Sequence, residues 1–232
     1  MKYFGDGLSE KHQELQKIIR KPDMLADAKK LFLEIHTELH SSAVSGGMRN
    51  AIDELLGDLS PRECGIMPSR EDETIAWSIW HIARIEDLTM NLLVSGGEQI
   101  FDKRWKNKMN APIADTGNAL SDDEIMHLSK SVEFAELLAY RDAVGRRTRA
   151  IVGNMAAGEM RRKVPPRGLE RIREAGGVTE QENSAWLLDF WGKKDIAGIL
   201  LMPPTRHVML HLNDCCKWKR EIRAKAKFFR TE

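Results

Sequence analysis

The sequence predicts an all-α fold, a four-helix bundle with additional short helices, on three observations. Apolar residues recur at helical spacing through several long stretches, strand-like alternation is missing, and there are only two tyrosines and few runs rich in β-branched residues. Four long amphipathic segments with connections too long for a minimal bundle then imply a bundle carrying inserted elements.

A short helix near Leu8 to Arg20 comes first. Pro22 and Asp23 open a long helix, about 23–43, whose apolar face is Leu25, Ala28, Phe32, Ile35, Leu39 and Ala43, closed by Gly46 and Gly47. A helical piece from Ala51 to Leu56 leads to Ser60 and Pro61 and a loop. The second long helix, about 72–95, has Ile75, Ile79, Ile82, Thr89 and Leu93 as its core line and stops at Gly96 and Gly97. Ser121 and Glu124 have the spacing of a capping box and start a third, interrupted helical region to about Met155. Gly and Pro punctuate the stretch from Ala156 to Leu201, which reads as an insertion of short helices and loops. Pro203 and Pro204 start the last long helix, about 203–227.

A chain of 232 residues buries a full core as one domain, 1–232. Its 36 basic and 35 acidic residues nearly cancel, and the basic tail from Lys217 to Arg230 fits the cation preference of a helix C-terminus, so nucleic acid is not an expected partner. No segment has the length of a membrane span, and Met1 to Arg20 lacks the apolar core of a signal peptide. A cytoplasmic, soluble protein is expected. Cys64, Cys215 and Cys216 lack zinc-ribbon spacing and are expected to be reduced, with Cys215 read as a packing thiol.

The chemistry concentrates in histidines. His207 and His211 are one helical turn apart, on a stripe with Cys215, Trp218 and Ile222, so both rings can converge on one ion. His81 lies on the flank of the buried arc of the second long helix and can join them. Three neutral imidazoles would hold one divalent ion and leave a position open, the pattern of a catalytic site; ordinary buried histidines bonded to polar groups are the other reading. Zinc suits such a set, and nickel, iron and manganese also accept imidazole.

Glu86 falls on the arc of Ile75, Ile79, Ile82 and Leu93, where a carboxylate needs a partner. It is read either as orienting or activating the site or as paired with an arginine such as Arg84. His36 and His40 form a further pair four apart, read as boundary histidines, although His40 can approach the metal cavity and then stands with Glu86 as a candidate catalytic group. Trp77, Trp80 and Arg84 flank His81 and are candidate pocket residues, while Trp186 and Trp191 decorate the insertion. The loop Asp115-Thr116-Gly117-Asn118 reads as a surface turn.

The helix Thr74-Ile75-Ala76-Trp77-Ser78-Ile79-Trp80-His81-Ile82-Ala83-Arg84-Ile85-Glu86-Asp87, taken with His207-Val208-Met209-Leu210-His211, resembles the DinB superfamily, which includes YfiT-like metalloenzymes. Glu34-Ile35-His36-Thr37-Glu38-Leu39-His40 adds weaker support. The resemblance implies a divalent metal held in a bundle cavity by one histidine of the second helix and an H-x-x-x-H pair of the fourth, hence by His81, His207 and His211. It implies thiol transfer with a low-molecular-weight thiol as co-substrate, or hydrolysis, on a small-molecule substrate; apart from the resemblance, a homodimer is one expected assembly, with the oligomeric state left open. The stretch from Ala156 to Leu201 departs from the family pattern. A non-catalytic bundle, a binding or stress-response module with an incidental metal, is the alternative.

Overall fold

The computed structural model describes residues 7–228, and among them the chain is a helical bundle without strands. The helices are α1 (Leu8–Ile18), α2 (Leu25–Leu39), α3 (Ser42–Ser45), α4 (Ala51–Leu56), α5 (Pro61–Cys64), α6 (Ile75–Asp87) and α7 (Lys103–Lys108). They continue as α8 (Asp122–Ser131), α9 (Phe134–Asn154), α10 (Pro166–Glu174), α11 (Glu182–Gly192), α12 (Ile196–Leu200) and α13 (His207–Phe228). The long helices α2, α6, α9 and α13 make the bundle, with α6 packed on both α9 and α13.

Every residue of α6 is buried, and a wider π-helical run, Leu88–Val94, extends it with all seven residues buried. A helix buried all round occupies the middle of a core, so its polar groups must find partners inside the protein. It begins at Ile75 and not at Asp72, because the Thr74 hydroxyl caps it by accepting the Trp77 N–H at 3.0 Å. Asp72, just outside, accepts from Trp218 Nε1 at 2.8 Å. Asp72 with Trp218, Trp77 with His211 and His81 with His207 show that α13 runs antiparallel to α6.

The expected long first helix breaks at His40, which is extended (φ −124°, ψ 161°). Side chains take over the carbonyls left open: Asn50 Nδ2 donates to Thr37 O (3.0 Å) and His40 O (2.8 Å), and Arg141 donates to Leu39 O. Gly46 then ends α3 in the left-handed region (φ 69°). Capping boxes start α4 (Asn50 with Asp53), α5 (Ser60 with Glu63) and α8 (Ser121 with Glu124), the last as the sequence predicted.

The insertion is part of the core. Gly168 of α10 lies against Leu93 and the Leu92 carbonyl, and Gly177 against Leu88, approaches that a Cβ would block. The basic end of α13 is spent on neighbours: Lys219 and Arg223 both pair with Asp58, Arg223 also with Glu63, and Lys217 with Asp72. The tail's last residues, 229 and 230, lie outside the described residues. No helix among the described residues is long and apolar enough to cross a membrane.

Candidate metal centre

His81 of α6 and His207 and His211 of α13 come together, each offering a ring nitrogen within 4.8 Å of the others. His81 Nδ1 lies 2.8 Å from the Thr116 carbonyl, which only accepts, so Nδ1 carries the proton and Nε2 presents a lone pair. That Nε2 is 3.1 Å from Nε2 of His207. The carbonyl thus fixes ring and tautomer, as a carbonyl behind a metal-ligating histidine does. Nδ1 of His207 and of His211 is buried without a hydrogen bond. The Pro203 carbonyl is near enough to favour a protonated His207, yet does not bond its Nδ1 in hydrogen-bond geometry.

Burial lowers all three ring pKa values: His81 to about 4, and His211 to about 3 with His81 beside it. His207 is driven well below the ordinary range, first by burial and then by the two neighbouring rings. The rings are therefore neutral at pH 7, the form that ligates, with no cation to displace. Three imidazoles, one held by a carbonyl and two with orphaned nitrogens, fit a divalent first-row ion.

The cluster opens on a cavity of about 480 Å³. Trp77, stacked on His81 at 4.7 Å and tilted only 9°, lies in its wall, and Trp186, Leu187, Phe190 and Trp191 of α11 supply another. Met202 and Pro203 of the π-helical turn preceding His207, together with Gly117 and Asn118, complete much of the lining. Through α11 the insertion is therefore a wall of the cavity.

Trp80 and Arg84 were expected in this pocket and are not there. Trp77 and His81 are four apart and share a face, whereas Trp80 is turned about 100° from His81 by the helix itself. Trp80 is fully buried and donates Nε1–H to Asp115 O at 2.9 Å. Arg84 donates to Ala114 O (2.9 Å), Asp87 (3.1 Å), Tyr140 (3.0 Å) and Gln99 (3.1 Å). Its guanidinium is a buried strut.

The loop read as a surface turn is also corrected. Its carbonyls at Ala114, Asp115, Thr116 and Gly117 accept in turn from Arg84, Trp80, His81 and Trp77, and Thr116 is itself fully buried. Behind it the insertion gives support, for Thr116 N–H donates to Gly177 O at 3.1 Å. Insertion, loop and His81 form one mechanical chain.

Glu86 and His40 likewise do not serve the three histidines. Five residues past His81, Glu86 is turned about 140° around the helix and points to α2. His36 Nε2 and His40 Nε2 lie 3.1 and 3.0 Å from its two oxygens, and the two rings stack at 4.1 Å. All three are buried, which corrects the boundary-histidine reading of His36 and His40. Burial alone would raise the Glu86 pKa, but His40 and His36 beside it, and the hydrogen bonds they donate, hold it well below the carboxylate range. An ionised carboxylate only accepts, so both Nε2 atoms are N–H donors, and both buried Nδ1 atoms have no hydrogen-bond partner. Buried Arg141 lies near enough to Glu86 to feel its field, while its own N–H is spent on the Leu39 carbonyl. This second group, whose ligand atoms also lie within 4.8 Å of one another, is a buried hydrogen-bonded network on another face of α6.

Gly145 of α9 tests that packing. A Cβ there would fall 2.6 Å from His40 Nδ1 and 3.1 Å from Val44, so Gly145→Ala should cost about 1–3 kcal/mol as an overpacked core does. On an open helix face the same change would gain about 1 kcal/mol. A urea midpoint that rises in the variant contradicts this packing.

The lowered histidines also set a pH dependence. His40, held at about 3 by burial, His81 and His211 bind protons more readily unfolded, where the ordinary value is 6.5. Below about pH 6.5 each therefore withdraws up to about 1.4 kcal/mol of stability per pH unit, until its folded pKa is reached. Chelator-treated protein should show a urea midpoint that is flat above about pH 7 and falls steeply toward about pH 5; a flat profile through that window refutes neutral burial.

Glu73 is the residue the sequence reading missed. It precedes the cap of α6, lines the same cavity, and has a raised pKa, first from burial and then from Asp214, Asp72 and Asp122. The only signal for it was its place one residue before a capping threonine on the helix that carries His81.

A helical bundle with three convergent imidazoles opening on an apolar cavity is the architecture of a metal-binding bundle protein. The family model of the DinB superfamily matches residues 47–185, more than half of the chain, and the chain belongs to that superfamily. The matched stretch contains His81 and ends before His207 and His211. No curated protein matches the chain.

Proposed function

We propose that this chain is a divalent-metal-dependent enzyme acting on a small molecule, hydrolase-like, with His81, His207 and His211 as the metal ligands. The observation that carries the reading is that the three-imidazole cluster opens on a cavity and, among the described residues, is not closed by a fourth protein ligand. A divalent ion bound there supplies Lewis acidity, lowering the pKa of a bound water or thiol and polarising an electrophile.

The chain's own contributions are separate from the ion. Thr116 holds the His81 tautomer through its carbonyl, Trp77 braces the His81 ring face to face, and the α11 aromatics keep water sparse around the reacting groups. Among the described residues no lysine or arginine lines the cavity. A low-molecular-weight thiol with carboxylate groups has no cation to pair with there, which favours water over such a thiol as the nucleophile. An open cavity beside the cluster also argues against an incidental metal in a non-catalytic module.

The test is metal analysis of the purified full chain together with turnover of uncharged esters and amides, with and without an added small thiol. One tightly held divalent ion per chain and chelator-sensitive hydrolysis support the reading. Absence of any divalent ion after reconstitution at neutral pH ends it, and turnover only with the thiol replaces water by the thiol.

A further inference from the structure

The cavity beside the three histidines has a charge asymmetry that restricts what enters it. Its walls are aromatic and aliphatic, with Trp77, Trp186, Phe190 and Trp191 contributing most of the large faces, and Trp186 is still 46% exposed. Apart from the histidines, its only ionisable lining group among the described residues is Glu73. Among the described residues the half-buried Glu73 carboxylate has no hydrogen bond or ion pair to another residue; only its own backbone N–H faces it. Asp72, Asp122 and Asp214 lie close enough to add to the negative potential there. Asp72 is already engaged by Lys217 and Trp218, and neither Asp122 nor Asp214 lines the cavity, so Glu73 is the carboxylate that faces it.

A half-buried carboxylate without a partner is costly, and a cation entering beside it regains what desolvation took. Aromatic faces add to the same preference, since a cation over an indole is attracted by the ring quadrupole. An anion entering the cavity meets the opposite on both counts. Glu73 lies just before α6, whose first residue, Ile75, is about 9 Å along the helix axis from His81, so a molecule held at Glu73 extends toward the histidines.

We propose that this cavity takes a small aromatic amine, its cationic nitrogen held by Glu73 and its ring against the indoles of the lining. The inference deepens the proposed function, since it concerns the substrate class of the same site, but it is read by binding and not by turnover. Phenethylamine, phenethyl alcohol and phenylpropionate, similar in body and different in charge, are the probes. Each is titrated calorimetrically into the full chain at neutral pH, as purified and after chelator treatment, so that carboxylate ligation of an ion is separated from recognition by the cavity.

The amine is expected to bind about tenfold more tightly than the alcohol, the scale of a charge-assisted hydrogen bond, and the carboxylate most weakly on chelator-treated protein. Glu73→Gln should bring the amine to the level of the alcohol while the alcohol is unchanged. Trp186→Ala should weaken all three. A carboxylate that binds best without metal, an amine preference that survives Glu73→Gln, or no binding of any probe overturns the proposal. If the protein holds no ion yet prefers the amine, the metalloenzyme reading falls and this one stands; if it holds an ion through the histidines without that preference, only this one falls.

Discussion

Replacing His207 and His211 together with alanine is expected to abolish retention of a divalent ion, and chelator-sensitive turnover with it, while the helical circular-dichroism signal persists. The two rings supply two of the three nitrogens, and His81 alone gives one lone pair, too few to hold a first-row ion against water. The fold should survive because its core runs from Leu8 in α1 to Ile222 in α13 as one contiguous apolar cluster, and a chain of this size does not need a metal to fold. Glu86→Ala is the informative contrast. Had Glu86 oriented a ligand, its loss would weaken metal affinity about 10–100-fold. Bonded to His36 and His40 on another face of α6, it should leave metal stoichiometry untouched and lower stability. Full metal occupancy in the histidine double variant would remove this site from consideration.

What the sequence revealed and what it hid divide along a physical line. Features set by local spacing were legible: the capping box at Ser121 and Glu124 and the two histidines one turn apart on α13. The partner of a buried polar group is set by tertiary packing, and that was not legible. Periodicity places Glu86 inside the protein but cannot say that the nearest donors are His36 and His40 and not Arg84. Trp77 and Trp80 look alike in sequence, and only the rotation of 100° per residue separates the one stacked on His81 from the one tied to Asp115.

Two further limits have identifiable causes. Where a helix is buried on all sides, as α6 is, its polar residues no longer mark a solvent face, so Arg84 read as a pocket residue when it is a core strut. The loop from Ala114 to Gly117 carries its function on backbone carbonyls, which every residue type possesses. Nothing in its side chains announces that it holds His81, and its turn-forming composition pointed to the surface.

Asp87→Ala should have the largest effect on stability of any single change in this core. The side chain is fully buried and its two oxygens receive five donors: Asn91 Nδ2 (2.7 Å) and Ile100 N (2.8 Å) on one, Tyr140 Oη (2.6 Å), Phe101 N (2.9 Å) and Arg84 Nη1 (3.1 Å) on the other. Alanine removes all five acceptor contacts at once and leaves the Arg84 guanidinium buried without its counter-ion, a loss of about 3–5 kcal/mol for a broken buried pair. Set against a typical total of about 5–15 kcal/mol, that leaves the chain marginal or unfolded at ambient temperature. Arg84→Met in the Asp87→Ala background should recover part of the loss, because it removes the stranded charge while keeping much of the side-chain volume. Urea unfolding of the two variants, followed by tryptophan fluorescence, reads both effects. An Asp87→Ala midpoint within experimental error of the parent would show that the network is not needed by the fold, and failure of the second change to restore any stability would show that the stranded guanidinium is not the source of the loss.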